Sequence, residues 1–399
     1  MVKLFIYEIK KNILKLSLLF LLIGLLAVNF YKIRETVRYE GAGGVILIVR
    51  GEEDPTDTMK SNFYGEITSE LIQNIQEYSD KMAAIIASGN YDTQNPSDEF
   101  YTGYAYGDNN VIGEIKREVR DAYLYPNSMA ELKARADKCI DFFSERNQYE
   151  VRKNQLIKTM YNGRKINVYG NFEAVDLYLG YEFSSFVIMI SMIFAFSAIF
   201  SVEAFTGTDK IISSAGGAKS SFWAKQFTMY AFAAALTFLF SLIDILSFGS
   251  YYGLGFLEQP IYTIPDYRYT PYSITIIGAI MLSCLFKTAA LIFAGEVIFT
   301  VSSFTKNLGA AMTLCFGAIG GLIFINGYIP EWLSPFTLFN TKKMIGEFEC
   351  LNVFGCPVLQ PIVTLLSTII YIVLLHVVCY IRTAKRVRLI TEVSADEAA

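Results

Sequence analysis

The residues of this chain that could do chemistry are few, and most lie where chemistry is hard. The one histidine, His376, sits inside an apolar run. A lone histidine there rules out Ser-His-Asp catalysis elsewhere in the chain and any histidine-based zinc site. The six cysteines (139, 284, 315, 350, 356 and 379) form no C-x-x-C pair. Three of them lie in apolar runs, where a thiol behaves as a small hydrophobe. The stretch Gly216-Gly217-Ala218-Lys219-Ser220 has the composition of a phosphate loop but not its spacing. Ala218 separates glycine from lysine and the upstream glycine is missing, so backbone N–H groups and the amine cannot converge on phosphate. No nucleophile–base set and no paired metal ligands emerge. The chain is therefore expected to carry no catalytic, cofactor-binding or metal-ligating residues.

Charges inside apolar runs are the next candidates: Asp244, Lys287 and Glu296. An ionisable group in hydrocarbon costs at least about 2.5–3.5 kcal/mol, so its presence implies a cavity, a partner or a long side chain reaching water. Lys287 falls in the middle of its run and should face the protein interior. Asp244 is a conceivable partner, although the two differ in depth by about 12 Å at the helical rise. Asp244 and Glu296 lie nearer the ends of their runs and read as interfacial anchors; His376 reads as a packed or hydrogen-bonded side chain.

The elements that must position these groups follow from the hydropathy pattern. Of 399 residues, 53% are hydrophobic and 18% charged, too apolar for an ordinary soluble domain. Runs of about 20 apolar residues match the length of helix needed to cross a bilayer core of about 30 Å. Six such spans are expected: Ile13–Tyr31, Phe183–Val202, Ala224–Phe248, Tyr272–Thr300, Leu308–Gly327 and Ile362–Ile381. The prolines fall in the polar connections or at the first turn of a span, as at Pro271 and Pro361. Lysine and arginine distribution places both termini in the cytoplasm: Lys3, Lys10, Lys11, Lys210, Lys219, Lys306, Arg382, Lys385, Arg386 and Arg388 share that side. Lys32, Arg34 and Arg38 run against the rule. A formal net charge of -4 and the lack of a basic stripe argue against nucleic-acid binding.

Four parts follow: an interfacial helix and first span (residues 1–31), an extracytoplasmic insert (32–182), five further spans (183–381) and a cytoplasmic tail (382–399). Val2, Phe5, Ile6, Ile9 and Ile13 recur at helical spacing with Lys3, Lys10 and Lys11 off the stripe, as in an amphipathic helix lying in the membrane interface. The insert is expected to be mainly helical with some β structure (α+β). It has a β-type run at Val45–Val49, a helix around Glu66–Ala87 and a Tyr/Gly/Asn/Asp-rich connection near Tyr101–Asn110. Ser128-Met129-Ala130-Glu131 reads as a capping box opening a helix through Leu132, Ala136, Cys139, Ile140 and Phe143 toward Met160. In the fifth span, Gly309, Ala310, Ala311, Gly317, Ala318, Gly320, Gly321 and Gly327 leave one side smooth for close helix packing, either within the bundle or against another subunit.

The loop from Glu203 to Lys225 is the most informative. An acidic residue closes a span, Gly207-Thr208 follow, then a short amphipathic element through Asp209 and Ser213, then small residues, Lys219 and Phe222. This predicts a short cytoplasmic helix lying flat beneath the membrane (residues 203–223), able to dock on a soluble partner. Here the chain resembles the ABC type-2 permeases, the membrane subunits of bacterial ABC exporters. That family has six spans, an interfacial N-terminal helix, and a coupling helix after the second span with an E…G(T)…S…(R/K) pattern. Glu203, Gly207, Thr208, Ser213 or Ser214 and Lys219 match the pattern. The resemblance covers the six spans but not the insert, which is longer than the first loop of many members.

The resemblance implies a permease subunit in the bacterial cytoplasmic membrane, multi-pass, working as a homo- or heterodimer with a separate cytoplasmic ATPase. ATP and Mg would bind that partner, and membrane lipid surrounds the chain. The implied cargo is amphipathic or apolar: peptide, lipid or drug. The outer loop Tyr328–Gln360, with Pro330, Trp332, Pro335 and Phe336, would correspond to short re-entrant helices. Cys350 and Cys356 in that loop are a candidate disulfide on the oxidising side. A receptor or assembly protein whose ectodomain binds an extracellular ligand is the alternative reading. A secondary transporter is a third, although it calls for two similar halves with broken spans.

Overall fold

A computed structural model of the chain describes residues 2–37, 39–41, 44–46, 55–89, 101–102, 105–214 and 217–396. The chain opens with α1 (Val2–Asn12) and α2 (Leu16–Thr36). They are separate helices because Lys15 takes an extended conformation at the N-cap of α2. A short hairpin, β1 (Tyr39–Gly41) with β2 (Gly44–Ile46), leads into the insert. The rest of the β run expected at Val45–Val49 lies outside the described residues. The insert continues with α3 (Pro55–Ser61), β3 (Gly65–Glu66), α4 (Ser69–Ser88), α5 (Ala105–Phe143), α6 (Gln148–Met160), β4 (Val168–Tyr169) and α7 (Glu173–Gly180). The second span is α8 (Phe183–Phe196) followed by α9 (Ser201–Thr206). Then come α10 (Thr208–Ser214), α11 (Ala218–Tyr252), α12 (Ile276–Phe304), α13 (Leu308–Asn326), α14 (Thr341–Gly346), the hairpin β5 (Cys350–Val353) with β6 (Cys356–Leu359), and α15 (Gln360–Asp396).

Six helices are long and apolar enough to cross a membrane: Leu16–Thr36, Phe183–Thr206, Ala218–Tyr252, Ile276–Phe304, Leu308–Asn326 and Gln360–Lys385. All six expected spans are present, so the chain has the character of a multi-pass membrane protein. Their ends differ from the hydropathy reading. The third begins six residues earlier than Ala224, because Lys219 and Ser220 continue the helix into polar surroundings. The fourth begins at Ile276 rather than Tyr272, where the Thr275 hydroxyl accepts from the Gly278 amide (3.2 Å) and caps it. Asn307 caps the fifth span in the same way, accepting from the amides of Gly309 and Ala310.

The second, third and fourth spans form the centre of the bundle, with α12 and α15 sharing its most extensive helix–helix interface. Gly295 on α12 is where three spans close up: a Cβ there would lie 2.3 Å from the Met229 sulfur and 3.0 Å from the Met192 methyl. The glycine face of the fifth span is not used this way. Nothing lies within 4 Å of where a Cβ would stand at Gly317, Gly320 or Gly321, so that surface is open.

The insert has two small cores. Met59, Ile75, Val111, Ile112, Ile115, Val119 and Tyr169 make one. The other joins Ala122, Tyr125, Met129, Tyr161 and Ile166 to Tyr262, which belongs to the connection between α11 and α12. Tyr125 stacks on Tyr262 (5.7 Å) and donates to the Arg268 carbonyl (2.8 Å). Tyr161 donates to the Tyr269 carbonyl, and buried Arg164 donates to the carbonyls of Thr270 (2.7 Å) and Pro271 (3.2 Å). The insert therefore stands fixed on the loop between the third and fourth spans. At its edges, Ile33, Val37 and the residues of α7 pack into the bundle core itself.

Four expectations for the insert and the connecting loops are corrected. Ser128–Glu131 does not cap a helix, because α5 already begins at Ala105 and runs through it, carrying Pro126 inside. The polar Tyr101–Asn110 connection is accordingly shorter, and its residues 103–104 lie outside the described residues. The helix ends at Phe143, and α6 is separate, capped by the Asn147 side chain. Cys350 and Cys356 are both free. They occupy a hairpin whose register sets Cys350 opposite Leu359 and Cys356 opposite Val353. Three strand residues, about 10 Å, separate their rungs, beyond the Cα spacing a disulfide tolerates.

Candidate functional site

The expected coupling loop is shorter and more deeply anchored than its sequence suggested. Glu203 does not lie on the loop surface but is buried in α9, the end of the second span. Gly207 closes α9 in a left-handed conformation (φ 71°), which favours glycine, and turns the chain into α10. Thr208 opens α10 with its hydroxyl 2.7 Å from that of Thr206. Asp209 and Ser213 lie within the same seven-residue helix. Residues 215–216 lie outside the described residues. Lys219 and Phe222 belong to α11: Lys219 is exposed in its first turn, and Phe222 is buried, facing His376 and Tyr380 at ring distances of 5.3 and 5.4 Å.

Beside this short helix lies a layer of polar groups that no single run of sequence announces. Glu203 sits between two ammonium groups. Lys225 of α11 donates to one carboxylate oxygen, and Lys11 of α1 donates to the other at 2.9 Å. Asn12 donates to the carboxylate (2.7 Å) and carbonyl (3.1 Å) of Glu8, whose own carboxylate is 4.0 Å from Lys11. Burial works against the Lys11 charge, but Glu203 and Glu8 more than offset it and hold the amine above its ordinary value. The N-terminal helix thus packs on α11 with Glu8 and Asn12 buried and Lys11 bonded to Glu203 of α9, while Val2, Leu4, Ile6 and Tyr7 are exposed. Of the expected apolar stripe, Val2 and Ile6 are exposed, whereas Phe5, Ile9 and Ile13 are half-buried.

The layer continues around Glu296 of α12. This carboxylate is fully buried, accepts from the Tyr230 hydroxyl (2.5 Å) and the Gln226 amide (3.4 Å), and lies 3.6 Å from Nδ1 of His376. His376 packs on Trp223 with ring centres 5.1 Å apart. Glu296 is therefore an interior group, not an interfacial anchor. The reading of His376 as a packed span residue agrees with its contacts.

Asp244 is likewise interior. Asn29 of the first span donates to it at 2.7 Å, and the Tyr181 hydroxyl donates to Asn29 at 3.0 Å. Lys287 is 2% exposed, donates to the Tyr181 carbonyl (3.1 Å) and lies 4.9 Å from the Tyr178 ring. No ion pair joins Asp244 to Lys287 among the described residues. A chain of hydrogen bonds through Tyr181 and Asn29 connects the two side chains without direct contact.

A cleft of about 470 Å³ is lined by Glu182, Asp266, Asn340, Lys342, Lys343 and Glu347. Lys342 bridges Asp176 (2.9 Å) and Asp266 (2.6 Å), and Lys343 pairs with Glu331 (2.7 Å). Burial pushes the carboxyls of Glu173, Asp176 and Glu182 above their usual range. The hydrogen bond from Lys343 pulls Glu331 below it. No family model, curated protein or solved structure matches this chain. No group of three or more metal-ligating side chains occurs among the described residues.

Lys225, Lys11, Gln226, Tyr230 and Asn29 were not singled out from sequence. The available signal for Gln226, Tyr230 and Asn29 was a polar residue inside an apolar run, and Lys225 closed the loop that precedes one. Lys11 instead looked like a solvated residue off the apolar stripe.

Proposed function

We propose that this chain is the permease subunit of an ATP-driven ABC exporter, coupled to a separate ATPase through α10. What carries the reading is the placement of α10. It is a short helix set off by Gly207 and packed on α9, α11 and α15, beside buried polar contacts that tie together α1 and the second, third and fourth spans. A push on such a helix reaches three spans through a few charge-assisted hydrogen bonds, each stronger in a low-dielectric interior than at a surface. Phe205, 75% exposed, and Ile211, 68% exposed, give α9 and α10 apolar contact surface for a groove on the partner.

In this reading both termini and α10 lie in the cytoplasm of a bacterial cell, and ATP and Mg bind only the partner. The open glycine face of α13 serves a second permease copy, and the cargo is amphipathic or apolar. The insert, held on the outer loops, covers the far side of the path. Co-purification tests the proposal. The intact chain should retain an ATPase subunit, and Phe205→Asp with Ile211→Asp should lower that retention about tenfold or more. Absence of any ATPase from the purified material, or retention unchanged by both substitutions, would count against it.

A further inference from the structure

The cleft at Glu182 carries charge that the surrounding chain does not balance. Three of its lining residues are acidic, Glu182, Asp266 and Glu347, and two are basic, Lys342 and Lys343. Both ammonium groups are already engaged. Lys342 lies between Asp176 (2.9 Å) and Asp266 (2.6 Å), and Lys343 pairs with Glu331 (2.7 Å) and reaches Glu347 at 4.0 Å. Five carboxylates thus meet two cations, a formal excess of three negative charges. Glu182 is left without a cation. It is half-buried, and among the described residues no hydrogen bond or ion pair reaches its carboxylate. Lys287, whose charge acts on it, donates instead to the Tyr181 carbonyl (3.1 Å). A carboxylate partly withdrawn from water with no donor is costly, and a bound cation removes that cost.

Three separate segments build the cleft. Glu182 immediately precedes the second span, Phe183–Thr206, at the end away from α10; Asp266 comes from the connection between α11 and α12, and both lysines from α14. At about 470 Å³ it is far larger than one ion needs, since a water occupies about 30 Å³, and it falls within the size range of small-molecule sites. Its wall at Gly346 is backed by an aromatic ring: a Cβ there would lie 3.4 Å from Tyr267, whose buried hydroxyl has no hydrogen-bond partner. An aromatic wall favours an organic cation over a hydrated metal ion. We propose that this cleft binds an organic ammonium ion, whose N–H groups donate to Glu182 while Asp266 and Glu347 add negative charge around it. No covalent bond forms or breaks. An anionic ligand would have to take Lys342 or Lys343 from the carboxylates that hold them, which makes it the poorer occupant. Binding does not require an ATPase partner, so it stands or falls apart from the coupling proposal.

Dansylcadaverine, a primary ammonium joined to an environment-sensitive fluorophore, tests the site on the full-length chain in lipid nanodiscs. The expected result is saturable binding that excess cadaverine competes and that dansylglycine, with a carboxylate in place of the amine, does not show. Glu182→Gln should weaken binding about tenfold or more, through loss of a charge-assisted hydrogen bond. Glu347→Lys should weaken it as well, and because that side chain is exposed this variant decides the matter whether or not Glu182→Gln folds. A signal equal in empty nanodiscs, equal binding of dansylglycine, or affinity unchanged in a folded Glu182→Gln chain or in Glu347→Lys overturns the assignment. So does a signal that cadaverine fails to compete; if about 1 mM calcium displaces the probe in that case, the cleft belongs to a metal ion instead.

Discussion

At the residue scale, the contact that the rest depends on is Glu203 with Lys225 and Lys11. Removing one member of a buried pair leaves an uncompensated charge and costs about 3–5 kcal/mol, whereas replacing both with apolar groups is close to neutral. Glu203→Met should therefore destabilise the purified protein by about that amount, because it leaves the buried Lys225 unpaired, and Lys225→Met added to it should recover most of the loss, since Lys11 is part-exposed and can turn to water. Thermal unfolding in nanodiscs reads both. The single substitution is expected to be the less stable chain, and a double variant no better than the single would show that the pair does not act as a unit. The charges within the runs were legible in sequence one by one. Their partners were not, because pairing a lysine on α1 with a glutamate 192 residues away depends on how helices pack, not on local spacing.

At the element scale, the closest approach in the bundle is at Gly295, against Met192 and Met229. A methyl there forces both buried methionines off their positions, so Gly295→Ala should cost about 1–3 kcal/mol. An equivalent change at Gly317, where nothing lies within 4 Å, should leave the isolated chain unaffected. Calorimetry on the two variants distinguishes them. The fifth span shows what periodicity can and cannot say. Its small residues were plain in the sequence, but whether they faced a neighbouring helix or open surface was decided by packing. Helix existence was equally plain, since 20 apolar residues admit few other structures in lipid. Helix ends were not: Ala218–Ser220 continue α11 although they are polar or small, and Ser128–Glu131 matched a cap sequence inside a longer helix.

At the scale of the whole molecule, the insert and bundle meet through carboxylates that burial has shifted. Glu173, Asp176 and Glu182 hold protons more tightly in the folded chain than unfolded. Their contribution is therefore stabilising at low pH and is lost as pH rises through their folded values. Glu331, shifted down by Lys343, works in the opposite sense and loses its contribution as pH falls. Lowering the pH from 7.5 to 5.5 should stabilise the natural chain more than a Glu173→Gln/Glu182→Gln variant, as read by unfolding temperature. An equal response in the two chains would remove the carboxylates from the explanation.

Sidedness belongs to the same scale. Cys356, exposed at the β5–β6 hairpin, should react with a membrane-impermeant maleimide added to intact cells. A cysteine placed at Ala384 should not, and the reverse pattern would invert the orientation.

The central claim is that α10 is where a separate ATPase engages this chain. A photo-crosslinking amino acid in place of Phe205 tests it in living cells, since that side chain is exposed beside α10 and outside the buried polar layer. The expected result is a covalent adduct with a nucleotide-binding ATPase subunit, lost when the same group replaces Phe354 on the opposite hairpin. Adducts with lipid alone, or with proteins that bind no nucleotide, would contradict the claim.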